Sequence, residues 1–330
     1  MLVAHKAKLR DILNTLTTEY QVAVPVQQAG TSAFEFYRDN TEVMLNGNTR
    51  ISPKGMFFPQ TEKMYGFKTV KNTTEIVPLP VEQGKRLLFG VRSCDLKSLD
   101  CLDQVFLTKG YIDEFYKHKR ERTVIVALAC NEPGETCFCA SLGLDPQKAV
   151  GADVQAYDLG EVIGFEAVTE AGQKVIDLLK NHLSEQQVTL PPVGEFYLKP
   201  EVAGVPEKLQ GMFESPLWEE IARKCLNCGA CTYVCPTCHC FDISQDVRGE
   251  NGTKYRCWDS CMFGEYTQMA GGHNPRPTKK ERVRNRFMHK LNYFPERYNM
   301  LLCTGCGRCL DVCPVKMDIT SIIQQIKEAE

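Results

Sequence analysis

The sequence is short of nearly everything that would mark a self-contained enzyme or a membrane protein. No apolar run approaches the length of a membrane span. There is no P-loop, no G-x-S-x-G elbow, no G-x-G-x-x-G following an apolar strand-like run, and no H-E-x-x-H among the six histidines. The familiar phosphate cradle, serine nucleophile, dinucleotide turn and zinc-protease helix are therefore missing, and any flavin or nicotinamide site is expected on another polypeptide. Charge of either sign is scarce in excess, the formal net being -2. That excludes a bulk electrostatic attraction to nucleic acid or to a membrane surface. The opening MLVAHKAKLRDILNTL carries charges throughout and has no apolar core or cleavage site, so no signal peptide is expected.

What the chain has in plenty is cysteine, 17 residues of 330. In a short secreted chain that count would suggest disulfides, but this chain is long and its cysteines fall in metal-ligand spacing. A reducing compartment follows as the expectation: a cytoplasmic protein, of an anaerobic organism. With 43% hydrophobic and 24% charged residues the composition is that of a soluble globular protein, long enough for about two domains.

Two stretches organise the cysteines. Cys225, Cys228, Cys231 and Cys235-Pro236 read C-x2-C-x2-C-x3-C-P, and Cys303, Cys306, Cys309 and Cys313-Pro314 repeat it. This is the ligand run of two-cluster ferredoxins, in which three thiolates hold one [4Fe-4S] cube and the fourth reaches to the other. Two-residue gaps let a short loop wrap one cluster, and two copies make two cubes. A zinc ribbon is the bland alternative, but it shows paired C-x2-C knuckles rather than this series.

Upstream, Leu9, Ile12, Leu13 and Leu16 recur at helical spacing and predict an amphipathic helix over residues 4–19. Short strand-like runs follow at Gln21 to Val26, Phe34 to Tyr37 and Glu42 to Leu45, before the turn signal Asn46-Gly47-Asn48. A stronger β-α pattern begins at Arg86. The apolar run Leu87 to Val91 leads to Cys94-Asp95, and Leu96, Leu99, Leu102 and Phe106 then predict a helix with Asp95 as its N-cap. Cys101 lies within it and reads as a small core residue. A second buried strand, Thr123 to Ala129, again finishes on a cysteine, Cys130. Both thiols sit where ligands collect in an open α/β layer, at the C-terminal ends of strands.

The loop beyond supplies Cys137 and Cys139. Cys94, Cys130, Cys137 and Cys139 make four thiols able to converge on one edge, and four is one cube's requirement, so a third cluster is an expectation. The alternative is that all four are buried small hydrophobes. Residues 153–181 predict strand, loop, strand and a helix over Ala171 to Leu183. Proline-rich segments at residues 191–194 and 200–206 then read as a linker, placing a boundary near residue 205. The expectation is an α+β or α/β domain over residues 1–205, and a mostly helical, ferredoxin-like dicluster domain over 206–330 that carries a long insertion. Ser215-Pro216 signals the helix that delivers the chain to Cys225.

The insertion, from Pro236 to Leu302, is far longer than a small ferredoxin's connection and holds Cys238, Cys240, Cys257 and Cys261. These could ligate a further cluster or form a redox-active thiol site; close packing beside the ferredoxin core is the bland reading and is preferred, because thiols in apolar surroundings are normally inert. The basic run from Arg276 to Lys290 reads as a solvated face that also offsets cluster charge, with docking to an acidic partner as the other reading.

Several motifs carry a resemblance. Cys235-Pro236-Thr237-Cys238-His239-Cys240-Phe241-Asp242, Trp258-Asp259-Ser260-Cys261, Ala270-Gly271-Gly272-His273-Asn274-Pro275-Arg276, Gly90-Val91-Arg92-Ser93-Cys94-Asp95 and the stretch from Asn131 to Cys139 resemble the iron–sulfur subunits grouped with the sulfhydrogenase β subunit and the anaerobic sulfite reductase A subunit. The resemblance spans roughly residues 55–320 and is weakest over the first fifty; Cys257 stands outside the family pattern. It implies an electron conduit between an FAD/NAD(P)-binding subunit and a catalytic redox subunit. Cys225, Cys228, Cys231 and Cys313 would hold one cube, and Cys303, Cys306, Cys309 and Cys235 the other. Electrons would pass one at a time, with potentials set by burial and by hydrogen bonds to sulfur. The rival reading is an enzyme whose extra cysteines reduce polysulfide or a disulfide directly. The terminal acceptor and the direction of flow belong to chemistry on other chains.

Overall fold

Strand pairing draws distant parts of the chain together into two sheets. The computed structural model describes residues 1–28, 30–39 and 41–329. Among the described residues the strands are β1 (Leu2–His5), β2 (Tyr20–Gln28), β3 (Thr31–Phe36), β4 (Thr61–Val70), β5 (Thr73–Val77), β6 (Lys85–Val91), β7 (Thr123–Leu128), β8 (Val154–Asp158), β9 (Val162–Ala167), β10 (Ser184–Glu185), β11 (Phe241–Arg248) and β12 (Asn251–Trp258). The larger sheet runs β10-β1-β9-β8-β7-β6-β2-β3. Its centre, β2-β6-β7-β8, is parallel, and the flanking pairs are antiparallel.

The continuous apolar runs Leu87 to Val91 and Ile125 to Leu128 are buried because layers cover both faces of a parallel sheet centre. One face packs on Ile12, Leu13 and Leu16 and on Val175, Ile176 and Leu179; the other packs on Leu96, Leu99 and Leu102. The chain is thus a mixed α/β protein, as expected.

Local expectations fare unevenly. The first helix is shorter than its periodicity suggested: it covers Leu9–Leu16, after a 3-10 turn over Lys6–Lys8, and the chain before that turn forms β1, which pairs with β9 and β10. The run Glu42 to Leu45 makes only an isolated bridge, Val43 to Val26, and the helix expected from Ala171 runs over Glu170–Leu179. Asp95 is not an N-cap. The helix starts at Ser93 after Arg92, so Asp95 falls in its first turn, where its buried carboxylate pairs with Arg308 of the second ferredoxin run at 2.6 and 2.9 Å. Cys101 is fully buried against Phe294 and Leu302.

The second sheet, β11-β12-β4-β5, is antiparallel and takes two strands from each side of residue 205. The hairpin β11–β12 lies within the long segment between the two runs, which is therefore not purely helical. Buried Arg256 of β12 clamps Glu62 at 2.5 Å and pairs with Asp113. The remaining core of the C-terminal half is helical, built on Trp218, Val283, Phe287, Leu291, Ile319 and Ile323.

Candidate metal centre

Four-cysteine pockets recur three times. In the first, Cys225, Cys228 and Cys231 meet Cys313 from the second run around a cavity of about 480 Å³, closed by Met262, Val283 and Phe287. Main-chain N–H groups already aim at its sulfurs: Asn227 N donates to Cys225 Sγ at 3.4 Å and Met317 N to Cys313 Sγ at 3.1 Å. The loop can curl this tightly because Asn227 and Gly229 both take positive φ.

The second pocket, about 340 Å³, gathers Cys303, Cys306 and Cys309 with Cys235 from the first run. Each run thus sends its fourth cysteine across to the other run's pocket. Lys290 is buried here and donates from Nζ to Cys235 Sγ at 3.3 Å, Thr237 Oγ1 at 3.0 Å and Leu302 O at 3.2 Å. Arg286 lines both the first and the second pocket. Its Nε, and the Thr304 hydroxyl in the second pocket, are buried without any hydrogen-bond partner among the described residues.

The third pocket, about 300 Å³, brings Cys94, Cys130, Cys137 and Cys139 together, with Cys306 on its wall. Cys94 comes from the turn after β6, Cys130 from the turn after β7, and the other two from the following loop. Asn48 bridges the halves of the molecule, donating to Cys137 Sγ at 3.7 Å and to Cys306 O at 3.3 Å. Two glycines allow the contact. Gly305 and Gly307 have φ of +64° and +76°, and a Cβ on either would lie 2.5 Å from Cys139 N or 2.3 Å from Thr136 Oγ1. Cys130 also borders an open cleft of about 1,620 Å³ lined by Lys6, Arg92 and Asp158.

Burial raises several thiols of the second and third pockets. It pushes Cys303 and Cys137 up to about 11 and Cys139 to about 12, and it raises Cys94 well above the usual thiol range. Cys235 goes the other way, held well below the usual thiol range by a hydrogen bond from Cys238 and by the Lys290 ammonium. Such thiols ionise only when positive charge arrives to compensate, so metal uptake here releases protons.

Among the described residues no three Cys, His, Asp or Glu side chains converge as they would on a single metal ion. Sulfurs spaced around a cavity, N–H donors aimed at them, and orphaned donors on Arg286 and Thr304 suit a polynuclear cluster with acceptor sulfides. The donor set therefore fits iron–sulfur cubes.

Of the four inserted cysteines, three come near one another. Cys238 lies beside Cys235 and Cys240, and Cys240 beside Cys261 and Tyr266. Cys257 stays apart on β12 opposite Asp242. The basic run divides: Arg282 and Arg284 bond main-chain carbonyls at the periphery, while Arg286 and Lys290 are buried at the second pocket. The two buried cations share a helical face with Val283 and Phe287, at i, i+3, i+4 and i+7 from Val283, a spacing that the reading of the run as one solvated face passed over.

The family described as "4Fe-4S dicluster domain" matches residues 224–317, the part that holds the first two pockets. Sulfhydrogenase 2 subunit beta of Pyrococcus furiosus is 33% identical over 335 residues, covering 98% of this chain and 97% of the relative. No solved structure matches the chain. Among the described residues no helix is long and apolar enough to cross a membrane.

Proposed function

The chain belongs to the sulfhydrogenase β-subunit family, and from that premise we propose that it is a non-catalytic relay carrying electrons through three [4Fe-4S] sites between two partner subunits. Cys225, Cys228, Cys231 and Cys313 hold the first cluster, Cys235, Cys303, Cys306 and Cys309 the second, and Cys94, Cys130, Cys137 and Cys139 the third. When bound, such clusters supply reversible one-electron storage at potentials tuned by their surroundings.

The observation that carries this reading is the contiguity of the three four-cysteine pockets. Arg286 is shared by the first and second, and Cys306 by the second and third. The second site is therefore the middle of a line. Both ends reach the surface: Cys228 and Leu226 are exposed at the first, and Cys130 opens onto the cleft at the third. The protein's own residues exclude water from the middle, supply N–H donors to sulfur, and present the two ends. One end serves a subunit that binds FAD and NAD(P), and the other a subunit with a catalytic redox centre, in keeping with a relative that is named as one subunit of several.

The test is made on the assembled complex. Cys309→Ser is expected to abolish nicotinamide-dependent electron delivery to the catalytic subunit while leaving each partner's own half-reaction with artificial carriers intact. Full delivery in that variant contradicts a relay through the middle site.

A second reading, direct reduction of polysulfide or a disulfide by cysteine, has one observation in its favour. The hydrogen bond from Cys261 holds the Cys240 thiol down to about 6, a range in which thiolates attack disulfides. Neither sulfur lines the three pockets or the cleft. Turnover of polysulfide by the isolated chain with a chemical reductant, lost in Cys240→Ser, would favour this reading over the relay.

A further inference from the structure

The positive charges buried in the C-terminal half are distributed unequally among the three pockets. At the middle pocket stand two cations. Lys290, 3% exposed, donates directly to Cys235 Sγ, and Arg286, 5% exposed, lines the wall with its Nε unpartnered. The groups facing them are cysteine sulfurs: Cys231, Cys309, Cys238 and Cys235 around Arg286, and Cys235, Cys238 and Cys303 around Lys290. Lys290 Nζ directs its three donors to Cys235 Sγ, Thr237 Oγ1 and Leu302 O, the bonding pattern of an ammonium, and a guanidinium keeps its charge when buried. Lys54, buried over the Trp258 ring at 3.9 Å, donates to Cys238 O at 3.0 Å beside them.

The other two pockets differ. At the first, Arg286 is the one buried cation on the wall, shared with the middle, and the donors aimed at sulfur are main-chain N–H groups. At the third, the nearest guanidinium of the C-terminal half, Arg308, is neutralised by Asp95 in a fully buried bidentate pair. Arg92 remains, directed to the carbonyls of Leu45, Leu128 and Ala129 rather than to sulfur.

A cluster gains one negative charge when it is reduced. A fixed cation nearby, in a medium of low dielectric, stabilises the reduced form and raises the potential. We infer that Arg286 and Lys290 set the order of potentials along the relay, making the middle site the most easily reduced of the three. Electrons arriving from either partner then settle between the two ends. Arg286 and Lys290 stand four residues apart, so one face of the helix that begins at Lys279 and runs on through the π-helical turn brings both onto the same pocket.

The inference rests on the three-cluster reading above, and one experiment separates the two. The anaerobically prepared full chain is first assayed for iron, labile sulfide and the number of distinct paramagnetic signals on reduction, which tests the reading. Each signal is then followed through a potentiometric titration, which tests the inference. Lys290→Met is expected to lower one midpoint by at least tenfold in its reduction equilibrium, about 59 mV for one electron, with the other two moving less. Arg286→Met lowers two midpoints together. Lys290→Arg keeps the charge and restores most of the shift. If Lys290→Met fails to load iron, Lys290→Gln retains a hydrogen-bond donor without the charge and is titrated instead. Full iron with unmoved midpoints in the Lys290 variant, or a wild-type midpoint in Lys290→Gln, overturns the inference while leaving the cluster reading intact.

Discussion

The two ferredoxin runs and the cysteine edge of the large sheet reach the same construction from opposite directions. In the runs, three of every four cysteines are supplied by one loop of seven residues, and a glycine or asparagine in positive φ lets that loop curl on itself. At the sheet edge the four cysteines come from the ends of two parallel strands and one irregular loop, and only tertiary structure unites them. The first arrangement is local and therefore visible as spacing. The second is a product of the parallel sheet, whose strand ends lie side by side. The two meet where Gly305 and Gly307 press against the backbone of Thr136 to Cys139.

The sharpest way to break the comparison is to remove one ligand from each construction. Cys309→Ser and Cys137→Ser are each expected to lose about four iron atoms per chain, but from different spectroscopic signals, as read by iron analysis and electron paramagnetic resonance. A Cys137→Ser chain with full iron would mean the edge holds no cluster.

The next largest effect concerns the tie between the regions. Asp95→Ala leaves Arg308 buried without its partner, and truncating one member of a buried pair costs about 3–5 kcal/mol. Denaturant unfolding should show that loss, with the third-site signal perturbed first. Gly305→Ala adds a Cβ where φ is +64° and Cys139 N is 2.5 Å away, and is expected to destabilise by about 1–3 kcal/mol while broadening the second- and third-site signals together. Smallest is Cys257→Ser. This residue stands away from every pocket, so iron content is expected to be unchanged and stability to move by about 0.5 kcal/mol or less.

Legibility follows the same division. The eight cysteines of the runs and the exchange of their fourth members could be read from the sequence because cluster loops are short and stereotyped. Cys94 and Cys130 were readable as strand-end residues, since the apolar runs before them are continuous, as buried parallel strands are. What escaped were features fixed by distant partners. Asp95 looked like a helix cap until Arg308, more than two hundred residues later, claimed its carboxylate. The hairpins β4–β5 and β11–β12 went unrecognised because their alternation is weak and their pairing joins residues 61–77 to 241–258. Lys290 and Arg286 read as members of a solvated basic run, because their charge outweighed a helical spacing that puts them on the buried face of Val283 and Phe287.

The central claim is that the sheet edge and the ferredoxin runs are equivalent, three clusters in one line. It is tested most directly by iron and labile sulfide per chain, together with a Mössbauer count of cubes, on anaerobically prepared protein. About twelve iron atoms in three cubes are expected; about eight, in two cubes, would confine the clusters to the runs and contradict the account.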